Sequence, residues 1–136
     1  MLSVKKAKAH ALRLHFPNLM NTKEILVIDD NKDINQMVSL SFEAEGYVVE
    51  QSFNGKDGLS KFHTFKPDII LLDIRMPKMD GNEVLSRIRK NRTPRPFIII
   101  FTNMEWKGKT SNKVYFLKKS DVTPSELAEL VKGYLS

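Results

Sequence analysis

Segments with strand-like and helix-like patterns alternate along the chain from residue 23 onward, and this alternation restricts the possible folds more than any other feature. Two segments, 68–72 and 97–101, are almost continuously apolar, as expected for strands that are buried on both faces. Weaker strand patterns occur at 24–28, 47–50 and 114–117, and apolar residues at helical spacing occur at 33–45, 55–65, 82–90 and after Pro124. This alternation predicts an α/β domain whose parallel sheet has helices on both faces.

Five strands joined by right-handed crossovers can be arranged in only a few ways. The simplest is a flavodoxin-like, doubly wound five-stranded parallel sheet with strand order 2-1-3-4-5. The connection before the fifth strand interrupts the regular pattern, because residues 103–113 lack an apolar stripe and contain Gly108. These eleven residues lie just below the usual minimum for a parallel crossover. We therefore expect the fourth helix to be lost or reduced to about one turn.

The composition excludes several kinds of site. The chain has 136 residues, of which 41% are hydrophobic and 28% charged, values typical of one globular domain. It contains no cysteine, which excludes disulfides, thiolate metal sites and cysteine nucleophiles and is compatible with the cytoplasmic location that we expect. The longest apolar runs, 69–72 and 97–101, are far too short to span a bilayer, so we expect no membrane insertion.

The net charge of +6 is concentrated near the N-terminus. Residues 1–22 carry four basic side chains and no acid, whereas 23–136 hold 18 basic and 16 acidic residues. We expect 1–22 to be a basic N-terminal extension outside the fold and 23–136 to be the folded domain; a membrane-binding or partner-binding helix in 1–22 is the alternative. A second basic cluster at 87–95 is interpreted as a solvated helix end, and no direct DNA binding is expected.

Polar and charged side chains follow four of the predicted strands. Asp29 and Asp30 end strand 1, and Asp73 ends strand 3, which is its neighbour in the predicted order. Thr102 ends strand 4 and Lys118 ends strand 5. Because ligands of such sheets bind outside the carboxyl ends of the strands, we expect all five side chains to line one pocket.

This set of groups suits phosphoryl chemistry. Three converging carboxylates repel one another and need a cation, and oxygen ligands with room for water favour Mg²⁺. The metal and an ammonium would neutralise phosphoryl oxygens, a hydroxyl would hydrogen-bond one, and a carboxylate would be the nucleophile. Each residue alone has a plainer interpretation, such as a turn or a helix cap, and the functional hypothesis depends on four strand ends meeting at one edge.

The same residues resemble a known family, the receiver domains of two-component response regulators. The stretch 69–81, IILLDIRMPKMDG, is similar to that family's phosphoacceptor signature at nearly every position. The segment 28–31, IDDN, the hydroxyl of Thr102 and the segment 115–118, YFLK, match in the right order. The resemblance covers about residues 23–136.

The resemblance implies that Asp73 receives a phosphoryl group from a histidine kinase or a histidine phosphotransfer protein. It implies that Asp30 and Asp73 bind Mg²⁺ directly, together with the backbone carbonyl of Arg75, and that Asp29 acts largely through water. These assignments make the chain a component of a phosphorelay and not an enzyme.

Further roles follow from the same resemblance. Thr102 and Lys118 would contact the phosphoryl oxygens, and Tyr115 would be a switch residue that turns inward when Thr102 moves. The chain departs from the family at Asn103, where a small residue is usual, and at Lys119, where proline is usual after the lysine. The segment between Thr102 and Tyr115 is also about six residues shorter than usual.

Three functions remain open at this point. The first is a stand-alone phosphorylated switch without an output domain, acting through protein contacts with an unknown downstream partner. The second is a degenerate receiver that serves as a phosphorylation-independent binding module. The third is a phosphohydrolase with an aspartyl nucleophile, which the Asp-Asp-Asn sequence after strand 1 disfavours, because such enzymes carry a second aspartate two residues after the first.

Overall fold

The computed structural model describes residues 4, 7, 23–90, 95–111 and 113–135. Within them, one parallel sheet has the order β2-β1-β3-β4-β5, which confirms the predicted topology. The strands are β1 (Glu24–Ile28), β2 (Val48–Ser52), β3 (Ile69–Leu72), β4 (Phe97–Thr102) and β5 (Val114–Lys118). The helices are α1 (Lys32–Ala44), α2 (Gly55–Phe65), α3 (Gly81–Lys90) and α4 (Pro124–Leu135), with a short 3-10 helix at Lys119–Asp121.

Alternating side chains of the central strands divide the core into two layers, because successive residues of a strand point to opposite faces of the sheet. On one face, Leu26 and Ile28 of β1 belong to a cluster with buried residues of α2 and α3. On the other face, Ile25 and Val27 pack with buried residues of α1 and α4. The sheet is therefore covered on both sides, as predicted from the strand pattern.

Local capping fixes where three of the helices begin. The side chain of Asn31 accepts from the N–H of Ile34 at the start of α1, and Asn54 caps α2 in the same way. At the start of α4, the Thr123 hydroxyl accepts from the N–H of Glu126, and the Glu126 carboxylate accepts from the N–H of Thr123. This reciprocal arrangement is a capping box. These caps therefore fix Lys32, Gly55 and Pro124 as the first residues of α1, α2 and α4.

The connection between β4 and β5 contains no helix in its described residues, 103–111 and 113, so the predicted loss of the fourth helix is confirmed. The indole of Trp106 packs against the core cluster instead and stacks on the ring of Phe116, with centroids 6.0 Å apart. The chain folds closely over this indole, since a Cβ at Gly108 would lie 2.1 Å from it. One aromatic side chain thus covers part of the sheet that a crossover helix would otherwise cover.

The expectation that residues 1–22 form an extension lies outside the described residues, apart from Val4 and Ala7, which are helical and exposed. In the described part of the chain, no helix is long and apolar enough to cross a bilayer.

Candidate functional site

Three carboxylates meet at the carboxyl ends of β1 and β3. The two strands are adjacent and in register, with Ile28 opposite Leu72, so the residues that follow them leave the sheet side by side. Carboxylate oxygens of Asp29, Asp30 and Asp73 all lie within 4.8 Å of one another. Asp29 is 3% and Asp73 6% exposed, whereas Asp30 is open to solvent. The convergence predicted from the sequence is present.

Backbone hydrogen bonds hold the two buried carboxylates in place. The N–H of Asp73 donates to the carbonyl of Ile28 at 3.0 Å, which ties the end of β3 to the end of β1. The N–H of Asn31 donates to Oδ1 of Asp29 at 2.9 Å. The N–H of Arg75 donates to Oδ1 of Asp73 at 3.4 Å, so the backbone of Arg75 runs beside the carboxylate. Both acids are oriented by the main chain around them.

A buried amide, which the sequence analysis did not single out, organises the β1 side of the pocket. Asn35 of α1 is 0% exposed, and its Nδ2 donates to the carbonyl oxygens of Asp29 and Ser52 at 3.0 and 2.9 Å. Its Oδ1 accepts from Nε2 of Gln51 at 2.9 Å. The signal in the sequence is a polar residue on the helix face that also carries Val38 and Phe42. The amide joins the ends of β1 and β2.

The ammonium group in the pocket belongs to Lys119, one residue beyond the predicted Lys118. Nζ of Lys119 lies 2.6 Å from Oδ2 of Asp29 and 3.0 Å from Oδ2 of Asp73, and the side chain is only 10% exposed. Lys118 is the last residue of β5, pairs in register with Thr102, and is exposed. The placement predicted for Lys118 is therefore wrong by one residue, because the chain turns into the 3-10 helix directly after the strand and carries Lys119 over the carboxylates.

Burial and charge act together on the pKa values of these groups. Burial raises the pKa of Asp29, and this effect outweighs the hydrogen bonds from Lys119 and from the backbone of Asn31. Burial alone would lower the pKa of Lys119, but its hydrogen bonds and charge interactions with Asp29 and Asp73 outweigh that effect and raise it. The lysine is consequently cationic at neutral pH and partly neutralises the acidic cluster.

Thr102 occupies the predicted position at the end of β4. It is buried, and its Oγ1 accepts from the N–H of Met104 at 3.2 Å. Thr102 lies two residues after Ile100, so both side chains point to the same face of the sheet. Phe116 pairs with Ile100 and therefore lies on that face too. Its hydroxyl is therefore held by the first residues of the loop that follows β4.

The predicted switch residue, Tyr115, lies on the opposite face from Thr102. Its ring stacks on Tyr134 of α4 at 4.2 Å and packs with the cluster that includes α1. Its neighbour Phe116 faces the same side as Thr102 and contacts Trp106. The placement predicted for Tyr115 is wrong, and the cause is the same shift of one residue that moved the lysine.

A tight turn closes the pocket on the side of α3. Lys78 has a left-handed backbone with φ of 67°, and the N–H of Gly81 donates to the carbonyl of Ile74 at 2.8 Å. A Cβ at Gly81 would lie 2.2 Å from the carbonyl oxygen of Asp73. Glycine is therefore required here by close approach of two main-chain segments, which explains the glycine that ends the sequence motif.

The donor set fits a divalent magnesium ion. Three carboxylates supply hard oxygen ligands, and the exposed side of Asp30 leaves room for the water molecules that Mg²⁺ keeps. One ammonium cannot balance three carboxylates, so a negative charge remains in the pocket. Both the chemistry of the donors and this excess charge favour a bound cation.

Comparison with known proteins agrees with this geometry. Residues 25–131 match the family described as response regulator receiver domain. Response regulator ArlR of Staphylococcus saprophyticus is 32% identical over 108 residues, which are 79% of this chain and 49% of that protein. Regulatory protein AtoC of Escherichia coli is 37% identical over 76 residues, 56% of this chain and 16% of that protein. The chain thus spans about half or less of these relatives.

Solved structures show the same fold. A CheY-like receiver domain protein from Methanospirillum hungatei has a TM-score of 0.74 and 29% identity over 85% of this chain and 94% of that one. A chain in the complex of histidine kinase ThkA with response regulator protein TrrA has a TM-score of 0.71 and 34% identity, covering 85% of this chain and all of that one. Together with the match over residues 25–131, these similarities show that the chain belongs to the response regulator receiver domain family.

Proposed function

We propose that this receiver domain accepts a phosphoryl group on Asp73 in the presence of Mg²⁺ and signals through contacts with other proteins. The observation that carries the proposal is the contact of the Asp73 carboxylate with the ammonium of Lys119, inside a cluster of three acids. The donor would be a phosphohistidine of a histidine kinase or a histidine phosphotransfer protein. The solved complex of histidine kinase ThkA with response regulator protein TrrA, which contains a chain similar to this one, supports that class of partner.

The transfer itself needs little from the protein beyond position and charge. An oxygen of Asp73 forms a bond to phosphorus while the bond from phosphorus to the histidine nitrogen breaks, and the nitrogen keeps the electron pair and takes up a proton. Negative charge on the transferred group is spread over its oxygens. A fixed nucleophile with a cation beside it therefore supplies the main requirements of the reaction.

Asp30, Asp73 and the backbone carbonyl of Arg75 would hold the magnesium ion, with Asp29 acting through water. The ion would supply charge that stabilises the phosphoryl oxygens. Lys119 would replace its contact with Asp73 by one with a phosphoryl oxygen, keeping Asp29 as its second partner. The role that the sequence analysis gave to Lys118 passes to Lys119, because Lys119 alone of the two contacts the carboxylates.

The Thr102 hydroxyl is the group that would report phosphorylation. Its oxygen accepts from the N–H of Met104, and its O–H would donate to a phosphoryl oxygen. Phe116, on the same face as Thr102, would respond in place of Tyr115. Because Phe116 stacks on Trp106, a movement at Thr102 would reach the surface of the β4–β5 connection.

Intact mass spectrometry after incubation with acetyl phosphate and Mg²⁺ tests the proposal. We expect one phosphoryl adduct on the wild-type chain, no adduct on Asp73→Asn, and loss of the adduct when a chelator removes the metal. Asp57→Asn is the matched control, since Asp57 is a half-buried carboxylate on α2 that pairs with Lys61 and is not part of the acidic cluster. A wild-type chain without an adduct, or an Asp73→Asn chain with one, would contradict the proposal.

A degenerate receiver that binds partners without phosphorylation is the second candidate, and the missing crossover helix favours it. Binding of a captured partner that is the same before and after phosphorylation would support this alternative. Receiver domains are signalling modules, so we expect one phosphoryl group per chain. Sustained turnover of a phosphomonoester would instead indicate a phosphohydrolase.

The stand-alone organisation and the cytoplasmic location stay predictions, because the chain spans only part of its curated relatives.

A further inference from the structure

One hydrogen bond links the loop after β4 to the short helix that carries Lys119. Oδ1 of Asn103 accepts from the backbone N–H of Ser120 at 2.8 Å. The two residues are 17 positions apart, and each follows directly on a residue of the pocket, Asn103 on Thr102 and Ser120 on Lys119. The contact therefore joins the two segments that bring the hydroxyl and the ammonium to the site.

The short helix depends on an acceptor from outside. The first N–H groups of any helix lack partners within the helix and need acceptors from a cap, from water or from elsewhere in the protein. Lys118 occupies the N-cap position of Lys119–Asp121 and makes no capping hydrogen bond through its side chain. Asn103 supplies an oxygen to this helix start from another part of the chain, and so fixes its orientation against β4.

Orientation of this helix decides where the ammonium lies. A lysine side chain has many rotamers, so a defined Nζ position requires a fixed backbone and fixed partners. Lys119 meets two partners at once, Asp29 at 2.6 Å and Asp73 at 3.0 Å. A small rotation of the helix would move Nζ away from one of them.

We propose that Asn103 is a positioning residue for Lys119: its side chain holds the Lys119–Asp121 helix so that the ammonium contacts Asp29 and Asp73 together. The inference rests on the proposed function for the role of Lys119 in phosphoryl transfer. It goes beyond that function by assigning a task to a residue that touches none of the reacting atoms.

Chemical modification of Lys119 tests the positioning without requiring any phosphorylation. Acetic anhydride labelling, mapped by mass spectrometry, should be slow at Lys119 in the wild-type chain, because the amine is buried and ion-paired. Asn103→Leu keeps a similar side-chain volume without the acceptor, and we expect about three- to tenfold faster labelling, the range that corresponds to loss of one net hydrogen bond. Asn103→Asp retains an acceptor and should label about as slowly as the wild type.

Asn82→Leu is the matched control. Asn82 also accepts a hydrogen bond through its side-chain oxygen, but from Nε1 of Trp106 at 3.2 Å, away from the helix that carries Lys119. We expect labelling of Lys119 to be unchanged in this variant. Equal labelling rates in the wild type and Asn103→Leu, or equal acceleration in Asn82→Leu, would overturn the inference.

Phosphorylation kinetics give an independent measurement. With acetyl phosphate, Asn103→Leu should be phosphorylated about three- to tenfold more slowly than the wild type, and the same substitution in a Lys119→Met background should have no further effect. An additive loss in that background would show that Asn103 acts by another route. If the wild type forms the Asp73-dependent adduct while Asn103→Leu matches its rate, the inference fails and the proposed function stands.

Discussion

The pocket at the ends of β1 and β3 and the connection between β4 and β5 are held in place by different kinds of contact. Around the pocket, buried groups are held by main-chain hydrogen bonds and by the amide of Asn35, so the geometry is set by the sheet itself. The connection has no regular secondary structure in 103–111 and 113. It is held by a few side chains, chiefly the indole of Trp106 and the amide of Asn103.

The difference shows which part of a receiver domain tolerates change. Phosphoryl chemistry requires oxygen atoms at fixed separations, and adjacent strands in register provide them. The crossover between β4 and β5 only has to return the chain to the start of the next strand and cover apolar surface. A loop that places one aromatic ring over the sheet meets both needs with eleven residues.

Replacing the buried amide should have the largest effect on stability. Asn35→Leu removes one donor from each of the Asp29 and Ser52 carbonyl groups. The Ser52 carbonyl keeps the N–H of Asp29, whereas the buried Asp29 carbonyl loses its amide donor. We expect the free energy of unfolding to fall by about 3 kcal/mol, measured by urea denaturation. Gln36→Leu, at an exposed position on the same helix, should change it by less than about 0.5 kcal/mol. Similar losses in both variants would mean that the β1 end of the pocket does not depend on Asn35.

The two adjacent lysines give a sharp test of the pocket. We expect Lys119→Ala to slow phosphorylation of Asp73 by acetyl phosphate about 100-fold, which corresponds to about 2.7 kcal/mol of transition-state stabilisation. Lys118→Ala should stay within about twofold of the wild-type rate, because the Lys118 side chain is exposed at the strand end. The reverse result would restore the assignment made from the sequence.

Removing the indole should destabilise the connection without preventing phosphorylation. Trp106→Ala uncovers the ring of Phe116, and we expect a loss of about 2 kcal/mol in unfolding free energy, less than for a fully buried tryptophan. Trp106→Phe should retain most of the packing and lose less than about 1 kcal/mol. A loss as large as that of Asn35→Leu, together with loss of the Asp73 adduct, would show that the connection and the pocket are not separable.

The smallest expected effect concerns pH and the start of α4. Hydrogen bonds from the backbone and hydroxyl of Thr123 lower the pKa of Glu126. Because the pKa of Glu126 is lower in the folded state than in the unfolded state, the ionised Glu126 carboxylate stabilises the fold. That stabilisation is complete at pH values above the unfolded-state pKa and is lost as the pH falls through the folded-state pKa. Glu126→Gln should therefore reduce the change in stability between pH 6 and pH 3, followed by thermal unfolding. Glu129→Gln, on the same helix, is the control, and an identical pH profile for both variants would contradict the capping role.

The elements and their order were predictable because each strand and helix has its own pattern. The runs at 69–72 and 97–101 indicate central strands, and the Thr-Pro-Ser-Glu sequence indicates the start of α4. Asp29, Asp30 and Asp73 could be grouped because strand ends in a parallel sheet meet at one edge, whatever the detailed packing. Loss of the crossover helix followed from the length of the connection.

Positions on β5 were not predictable to the residue. A strand of five residues with four hydrophobic side chains in succession gives no clear alternation, so Tyr115 and Phe116 are equally good candidates for either face. Pairing with β4 decides between them, and the same pairing leaves Lys118 at the strand end and Lys119 in the turn. The placements predicted for Tyr115 and Lys118 are both wrong by one residue, because a shift of one position along a strand moves a side chain to the opposite face of the sheet.

The sequence by itself determined the class of fold, the acidic cluster and the shortened connection, because these depend on local pattern, on strand order and on chain length. Tertiary structure decided which lysine enters the pocket, which aromatic ring lies beside Thr102, and that Trp106, Asn35 and Asn103 hold the surrounding chain. Those choices depend on strand register and on contacts between residues far apart in the sequence, such as the 17 positions between Asn103 and Ser120, which no local pattern specifies.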